Sequence, residues 1–499
     1  MRRVYKNTAL NIASQIIVMI IMFVAMPWIV RGLGDTSFAI LSLVWSVVSY
    51  FTLWDWGIGR AVTKFVAERR AIGAERDIKE IVFVSFLVSS ALGIIFSLLL
   101  LVFADRLSSV LFTVSGNYKL TVNFSLRLVA VFMPVMLLQG VLRGVLMGLD
   151  RFDLSNLVQV ANGLLQWLGA LILVLFHFGV LWVISYVLVS RLLTTIVLFE
   201  MTRNLTKWVA LRGQLDIKLL RRVLAFGGWV MVSQVVSPIL QYAERFVLSG
   251  LIATSIVTYY VVPYEATSKM LVLSVGLVSA LYPAMSELHG VGGINTEFKQ
   301  LFSQSERILV FAFLPIGALL TAFAPDILGI WMGKSFAVKG APTFEILSIA
   351  FVISSVAQLP YTVLQAVGRP DLTGRVHLIE LPVHFVMTFL LVRAFGLIGA
   401  ASATLFRILL DATLLYFYSS RELGLKIGFL AGSLRRVVLP IFVLLAGVAA
   451  VFISHWGLLA KLSVISVSIS GYLFLLFKLA LDDNEKHIIR NLVSGRLNV

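Results

Sequence analysis

Residues 8–30 read TALNIASQIIVMIIMFVAMPWIV, a run without a single Asp, Glu, Lys or Arg. The hydrocarbon core of a bilayer is about 30 Å thick, and about 20 predominantly apolar residues cross it as an α-helix. The run therefore predicts a membrane-spanning helix. Arg2, Arg3 and Lys6 precede it as they would a signal peptide. Because the run is too long for one and no small-residue cleavage pattern follows, we expect a retained span.

The rest of the chain repeats this pattern. Of its 499 residues, 59% are hydrophobic and 13% are charged, against about 25% charged in an average soluble domain. The absence of cysteine excludes disulfides and Cys-ligated metal sites. We predict an all-α integral membrane protein with about fourteen transmembrane helices, at residues 8–30, 36–57, 81–103, 121–147, 156–176, 180–199, 223–250, 254–281, 308–324, 343–365, 376–394, 397–419, 437–454 and 462–481.

The distribution of Lys and Arg predicts the orientation of these helices, because positively charged connections stay on the cytoplasmic side. The termini and the even-numbered connections carry 29 Lys and Arg, whereas the odd-numbered connections carry seven. Both termini are therefore expected in the cytoplasm. The net charge of +16 follows from this topology, so no nucleic acid is expected as a partner.

Short sequence words recur at a nearly constant spacing, which indicates an internal repeat. Ser14-Gln15 returns as Ser233-Gln234, and Arg151-Phe-Asp153 returns as Arg369-Pro-Asp371 at nearly the same offset along the chain. Six spans per copy is an even number, so both copies enter the membrane from the same side. We predict a six-helix lobe at 1–200, a cytoplasmic linker at 201–222, a second six-helix lobe at 223–420, and two extra helices with a cytoplasmic tail at 421–499.

Several motifs carry a family resemblance. They are Asn7 with Arg31-Gly-Leu-Gly-Asp35, the run from Asp55-Trp-Gly to Glu68, and Glu244-Arg245. With these motifs the chain resembles the polysaccharide-transporter branch, the Wzx-type flippases, of the multidrug/oligosaccharidyl-lipid/polysaccharide (MOP) exporter superfamily. The resemblance implies translocation of an undecaprenyl-pyrophosphate-linked oligosaccharide from the inner to the outer leaflet of a bacterial plasma membrane by alternating access, for cell-surface polysaccharides such as O-antigen. The sequence does not determine whether the lipid carrier bears one phosphate or two.

Other functions remain open. A cation-coupled multidrug exporter and a lipid II flippase belong to the same superfamily, although the multidrug branch usually has twelve helices. A polytopic glycosyltransferase or polymerase of the same pathway is the rival from another class. The sequence contains no Asp-x-Asp sugar-nucleotide motif and no long outer loop for a catalytic acid, so we expect no enzymatic activity. We also expect a monomer without a metal site or a covalently bound cofactor, with membrane lipids and a polysaccharide polymerase as partners.

Ionisable side chains at membrane depth cost about 2.5–3.5 kcal/mol each on insertion scales and therefore mark functional candidates. Glu265 and Lys269 fall near mid-bilayer and are four residues apart, the spacing of a same-face ion pair. They either neutralise each other structurally or face the substrate cavity. We predict that the substrate headgroup is bound by Lys269, Glu265, Arg245, Arg31, Arg60 and Arg191. Snorkelling to the headgroups and ordinary positive-inside charge are the alternatives for the arginines nearer the surfaces.

A second group of ionisable residues suggests coupling to Na⁺ or H⁺. Glu380 and His384 share one face of the eleventh helix beside Pro382, and a proline break frees carbonyl oxygens for ions. In relatives a cation site lies between the seventh, eleventh and twelfth helices, which would add Thr404 and Glu244. At about 1.5 Å per residue, Glu244 is expected about 20 Å in height from Glu380. We therefore favour Glu380 with His384 as the ion site, and Glu244 paired with an arginine.

Two further charges are interpreted from their positions. Asp55, between two tryptophans at the inner end of the second helix, is predicted to act at an inner gate or to be a solvated helix-end charge. Arg407 and Asp411 are one helical turn apart, which favours a structural ion pair.

Overall fold

The computed structural model describes residues 2–53, 58–71, 73, 75–114, 116–206, 236, 239–424, 427–453 and 457–480. Within these ranges the chain is helical and contains no strand. Ten helices are long and apolar enough to cross a membrane, and two shorter apolar helices cover Asp35–Ser49 and Val438–Phe452. One of the ten is a merged helix that contains two of the predicted spans. The expected all-α fold with about fourteen membrane helices is therefore confirmed.

The chain packs as two compact units. The first comprises residues 1–262 and 381–400, and the second comprises residues 263–380 and 401–499. The lobe boundaries expected from the repeat stay a prediction, because most of the linker at 201–222 lies outside the described residues.

The first unit contains the N-terminal helices. They are α1 (Arg2–Leu33), α2 (Asp35–Leu53), α3 (Ile58–Ala71), α4 (Glu75–Leu111), α5 (Asn117–Gly148), α6 (Phe152–Leu175), α7 (Val180–Thr206), α8 (239–251), a 3₁₀ turn (Thr254–Val257) and the start of α9 (Thr258–Ser268).

The second unit contains most of the remaining helices. They are α10 (Met270–Gly292), α11 (Thr296–Ala322), α12 (Ala324–Trp331), α13 (Lys334–Lys339), α14 (Ala341–Ala366), α15 (Pro370–Glu422), α16 (Ile427–Ile453) and α17 (Leu458–Leu475), followed by a π-helical turn (Leu476–Ala480). Gly396 interrupts α15 with φ 59° and ψ −125°, which divides it into a first arm (370–395) and a second arm (397–422). Residues 381–400 of α15 pack with the first unit.

Close backbone approach joins α3 to α5 in the first unit. A Cβ atom at Gly144 would collide with the backbone of Gly59, so only glycine fits at this contact. The hydroxyl of Thr63 lies in the same contact and donates to the carbonyl oxygens of Gly59 and Gly144, at 2.9 and 3.0 Å. A small residue thus allows α3 and α5 to approach closely, and a hydroxyl group hydrogen-bonds across the contact. Both features are common in membrane helix bundles.

The two C-terminal helices, α16 and α17, belong to the second unit and pack on α11. Tyr472 is fully buried, and the π-helical residues after α17 share an apolar cluster with Val310 and Leu444. The hydroxyl of Tyr472 donates to the carbonyl oxygen of Val310 at 3.2 Å. Lys461 of α17 forms an ion pair with Asp326 of α12 at 3.0 Å. These helices are thus anchored by apolar burial and by polar contacts.

The repeat is visible in the backbone of corresponding turns. Arg151 and Arg369, which are equivalent positions of the repeat, precede α6 and α15. Their amides donate to the carbonyl oxygens of Leu146 and Leu364, each at 2.8 Å. Residues with positive φ occur in corresponding turns at Gly73 and Gly293, Asp150 and Gly368, and His177 and Gly396.

The side chains of these two turns also match. Arg151 binds both carboxylate oxygens of Asp153 at 3.0 and 2.9 Å, and Arg369 binds those of Asp371 at 3.0 and 3.2 Å. Each of these hydrogen-bonded pairs raises the pKa of its guanidinium group above the ordinary value. In both copies, the recurring Arg-x-Asp motif therefore forms a bidentate salt bridge at the start of a helix.

Candidate functional site

A buried histidine–carboxylate pair lies in the first unit. His384 on the first arm of α15 places Nε2 at 3.3 Å from Oε1 of Glu244 on α8, and both side chains are excluded from solvent. The other ring nitrogen, Nδ1, lies 3.4 Å from the hydroxyl of Thr388. The hydrogen bond made by one ring nitrogen of a histidine determines whether the other nitrogen carries a proton. The pair therefore brings an imidazole and a carboxylate together inside the bundle, away from solvent.

A second histidine–carboxylate group lies in the second unit. His377 Nδ1 is 3.3 Å from Oε2 of Glu380, three residues further along α15, and Glu380 is fully buried. Asp411 on the second arm completes a cluster in which one ligand atom from each residue lies within 4.8 Å of the others. This cluster can take up a proton or a cation. Thr404, on the same arm, is also buried.

These groups differ from the arrangement expected from the sequence. Glu380 was expected beside His384 and far from Glu244, whereas His384 lies directly against Glu244 and Glu380 lies against His377. The depth count starts at residue 376, whereas the helix begins six residues earlier at Pro370. This difference corresponds to about 9 Å of helix.

Sequence reasoning missed His377 and gave Asp411 a different role. The signal for His377 was present, because a histidine three residues before a carboxylate lies on the same helical face. Asp411 was assigned to an ion pair with Arg407. The structure places Asp411 beside His377 and Glu380, and its ion pair with Arg407 stays a prediction.

The predicted Glu265–Lys269 ion pair is present. Lys269 Nζ lies 2.9 Å from Oε2 of Glu265, and the two side chains are 27% and 23% exposed. The pair sits where α9 ends and α10 begins. Both side chains are therefore partly accessible, and their role in substrate binding stays a prediction.

The predicted arginines occupy different environments. Arg245 is buried, donates to the hydroxyl of Ser46 on α2 at 3.1 Å, and lies over the ring of Tyr242 at 5.0 Å. Arg31 is exposed in the last turn of α1. Arg191 is partly buried in α7, where its carbonyl oxygen accepts from Thr195 at 2.7 Å. The side chain of Arg60 and all of Asp55 lie outside the described residues.

Hydrogen bonds join the start of α2 to the start of α9 at one end of the first unit. Tyr259 donates its hydroxyl to Oδ2 of Asp35 at 2.6 Å, and the hydroxyl of Thr258 donates to the carbonyl oxygen of Asp35 at 2.7 Å. We call these contacts the α2–α9 bridge. Nearby, the segment after α4 pairs with the turn after α8. Thr113 donates its amide to the carbonyl of Ser249 at 3.1 Å, and its carbonyl accepts from the amide of Thr254 at 3.2 Å.

Many apolar helices, ionisable groups buried inside them, and a duplicated turn geometry together define a polytopic membrane transporter. The chain belongs to the polysaccharide biosynthesis protein family, whose model matches residues 4–289.

Individual proteins and structures support the same placement. The chain is 26% identical over 420 residues to a Shigella flexneri protein assigned as an O-antigen transporter, covering 84% of this chain and 98% of that protein. An inward-facing multidrug resistance MATE family transporter of the MOP superfamily superposes with a TM-score of 0.72 at 15% identity, covering 84% of this chain and 98% of that one. The lipid II flippase MurJ superposes with a TM-score of 0.70 at 12% identity, covering 94% and 98%. The MOP fold expected from the sequence motifs is confirmed.

Proposed function

We propose that this protein is a flippase that moves a polyprenyl-(pyro)phosphate-linked oligosaccharide from the inner to the outer leaflet by alternating access. The observation that carries the proposal is family membership combined with similarity along nearly the full length of an assigned O-antigen transporter. The protein then acts as a transporter without catalysing a covalent reaction.

The physical task explains why cations are needed. A phosphate headgroup and its sugars lose their hydration in hydrocarbon, so the path must replace water with polar and positively charged groups. Lys269 is the cation we assign to the headgroup, because it is partly exposed beside Glu265. Arg245, Arg31, Arg60 and Arg191 are proposed as further contacts.

The cellular setting follows from the same proposal. The carrier is proposed to be undecaprenyl, the location the bacterial plasma membrane, and both termini cytoplasmic, as the distribution of Lys and Arg predicts. A monomer that delivers its product to a polysaccharide polymerase fits this role.

Transport against a gradient requires an ion whose binding differs between the two states of the cycle. We assign this coupling to Na⁺ or H⁺ at Glu380, His384 and Glu244. Burial of all three side chains supports the assignment, because a charge that changes there has a large energetic effect.

A lipid II flippase is the second candidate. It is favoured by coverage, since the MurJ structure matches 94% of this chain and the multidrug transporter matches 84%. The larger coverage also disfavours multidrug export.

Mass spectrometry of lipids that copurify with the protein separates the candidates. A polyprenyl-linked oligosaccharide without peptide supports the proposal, whereas a peptide-bearing lipid II would replace it with the second candidate. Reconstituted vesicles then test movement directly. Inner-leaflet substrate should become accessible to an external glycosidase, and its continued protection with purified protein present would contradict flippase activity.

A further inference from the structure

We propose that His377, Glu380 and Asp411 form a binding site for one divalent transition-metal ion of the zinc class. All three residues belong to the second unit, where they offer one imidazole nitrogen and two carboxylate oxygens. His377 and Glu380 lie one turn apart on the first arm of α15, and Asp411 lies on the second arm. A bound metal would therefore join the two arms.

The two carboxylates provide the first argument. A carboxylate oxygen of Asp411 lies within 4.8 Å of one of Glu380, and two carboxylates this close repel each other unless a proton or a cation is held with them. Oε1 of Glu380 and Oδ1 of Asp411 are both buried, and neither has a hydrogen-bond partner among the residues that the structure describes. Buried acceptors are normally satisfied. A single cation bound between the two carboxylates would balance their charge.

The imidazole provides the second argument, because it determines which cation fits. Na⁺, Mg²⁺ and Ca²⁺ prefer oxygen ligands, whereas imidazole nitrogen suits zinc, copper, iron and nickel. A histidine three residues from a carboxylate on one helix, facing a carboxylate from another helix, is also how helical bundles build metal–carboxylate sites.

The spacing of the donor atoms provides the third argument. Adjacent ligands of a tetrahedral zinc ion lie about 3.4 Å apart when the metal–ligand bonds are about 2.0–2.1 Å long. His377 Nδ1 and Glu380 Oε2 are already 3.3 Å apart. Asp411 brings a third ligand atom within 4.8 Å of the other two residues' ligand atoms, and water can take the fourth position.

The surrounding charge limits the affinity. Arg407 lies one turn before Asp411, and its positive charge acts on that carboxylate. Because it competes with a metal ion for Asp411, we expect binding in the micromolar rather than the nanomolar range.

Metal binding would also affect transport, and this consequence rests on the proposed function. Glu380 is one of the carboxylates assigned to the coupling ion. A zinc-class metal at Glu380 would exclude that ion and hold the two arms of α15 together. We therefore expect micromolar Zn²⁺ to inhibit transport.

The test measures Co²⁺ binding to the full-length protein in lipid nanodiscs. Binding is detected by the visible absorption of the bound Co²⁺. The protein is purified through a tag without histidine and stripped of metal with a chelator. The chain has no cysteine, so no thiol competes for the metal. We expect one Co²⁺ per chain, displaced by Zn²⁺ but not by Na⁺ or Mg²⁺. His377→Gln and Asp411→Asn should each weaken binding at least about 100-fold. His289→Gln, which changes a histidine in the last turn of α10, is the matched control and should bind like the wild type.

Two results would overturn the site. One is no bound Co²⁺ or Zn²⁺ at micromolar concentrations, and the other is equal binding by the wild type and His377→Gln. Because the His377 side chain is 20% exposed, we expect His377→Gln to fold. The site can therefore be tested with this variant even if Asp411→Asn does not fold. The measurement uses neither substrate nor gradient. A protein that binds Co²⁺ as expected but moves no glycan would keep the site and remove the proposed function.

Discussion

Tyr259 donates a hydrogen bond of 2.6 Å to Asp35, which ties α9 to the first turn of α2. A hydrogen bond to a charged acceptor contributes about 1.5–3 kcal/mol. We therefore expect the α2–α9 bridge to favour the state of the transport cycle in which α2 and α9 are in contact.

We predict that Tyr259→Phe shifts the protein toward the state in which α2 and α9 are apart, by about tenfold in population. Cysteines at Thr36 and Ser255 can carry spin labels, because the chain has none of its own. Pulsed distance measurements should show a larger long-distance fraction. Tyr282→Phe, at an exposed tyrosine, is the control. An identical distance distribution in Tyr259→Phe and the wild type would argue against a gating role for the bridge.

We predict that Glu380→Gln abolishes the dependence of transport on the pH or sodium gradient, because the amide can neither titrate nor neutralise a cation. Transport is measured in vesicles with each gradient imposed separately. Glu287→Gln, at an exposed carboxylate, should keep the wild-type dependence. A Glu380→Gln variant that still responds to its gradient would exclude Glu380 from coupling.

His384 and Glu244 should behave as one unit in a double-mutant cycle. Removing either partner leaves the other buried without its contact, so Glu244→Gln and His384→Gln should each lower the thermal midpoint. The double variant should lose less stability than the sum of the losses of the two single variants. The difference is the coupling energy, which we expect to be about 0.5–3 kcal/mol. Additive losses would mean that the two side chains do not interact.

Lys269→Ala should reduce glycan translocation while leaving abundance in the membrane unchanged, because its partly exposed ammonium group is proposed to bind the headgroup. The matched control is Lys461→Ala, which breaks another lysine ion pair of similar length. Full export by a stably expressed Lys269→Ala variant would remove this residue from the proposed path.

Gly144→Ala should destabilise the first unit by about 1–3 kcal/mol, because the new methyl group would collide with the backbone of Gly59, which has no side chain to move aside. The expected readout is a lower thermal midpoint in detergent. Gly179→Ala is the control, since open space surrounds that position. Equal midpoints for both variants would show that α3 and α5 can separate at little cost.

The sequence predicts features that depend on one helix at a time. Spans follow from the length of apolar runs, and the Glu265–Lys269 pair follows from spacing along a single helix. Contacts between helices are different. The approach of His384 to Glu244, and of Tyr259 to Asp35, depends on where each helix starts and how it is rotated against its neighbour. Neither quantity can be read from apolar periodicity.

The matching turns before α6 and α15 also show how the two copies have diverged. When the Arg-x-Asp words of the two copies are aligned, three titratable positions on the first arm of α15 correspond to amides on α6. Amides do not change charge with pH or with cation concentration. Under the proposed function, the side chains assigned to the coupling ion therefore lie on α15, and the equivalent positions of α6 share only the geometry of the preceding turn. The three pairs of positions are Gln159 and His377, Asn162 and Glu380, and Gln166 and His384.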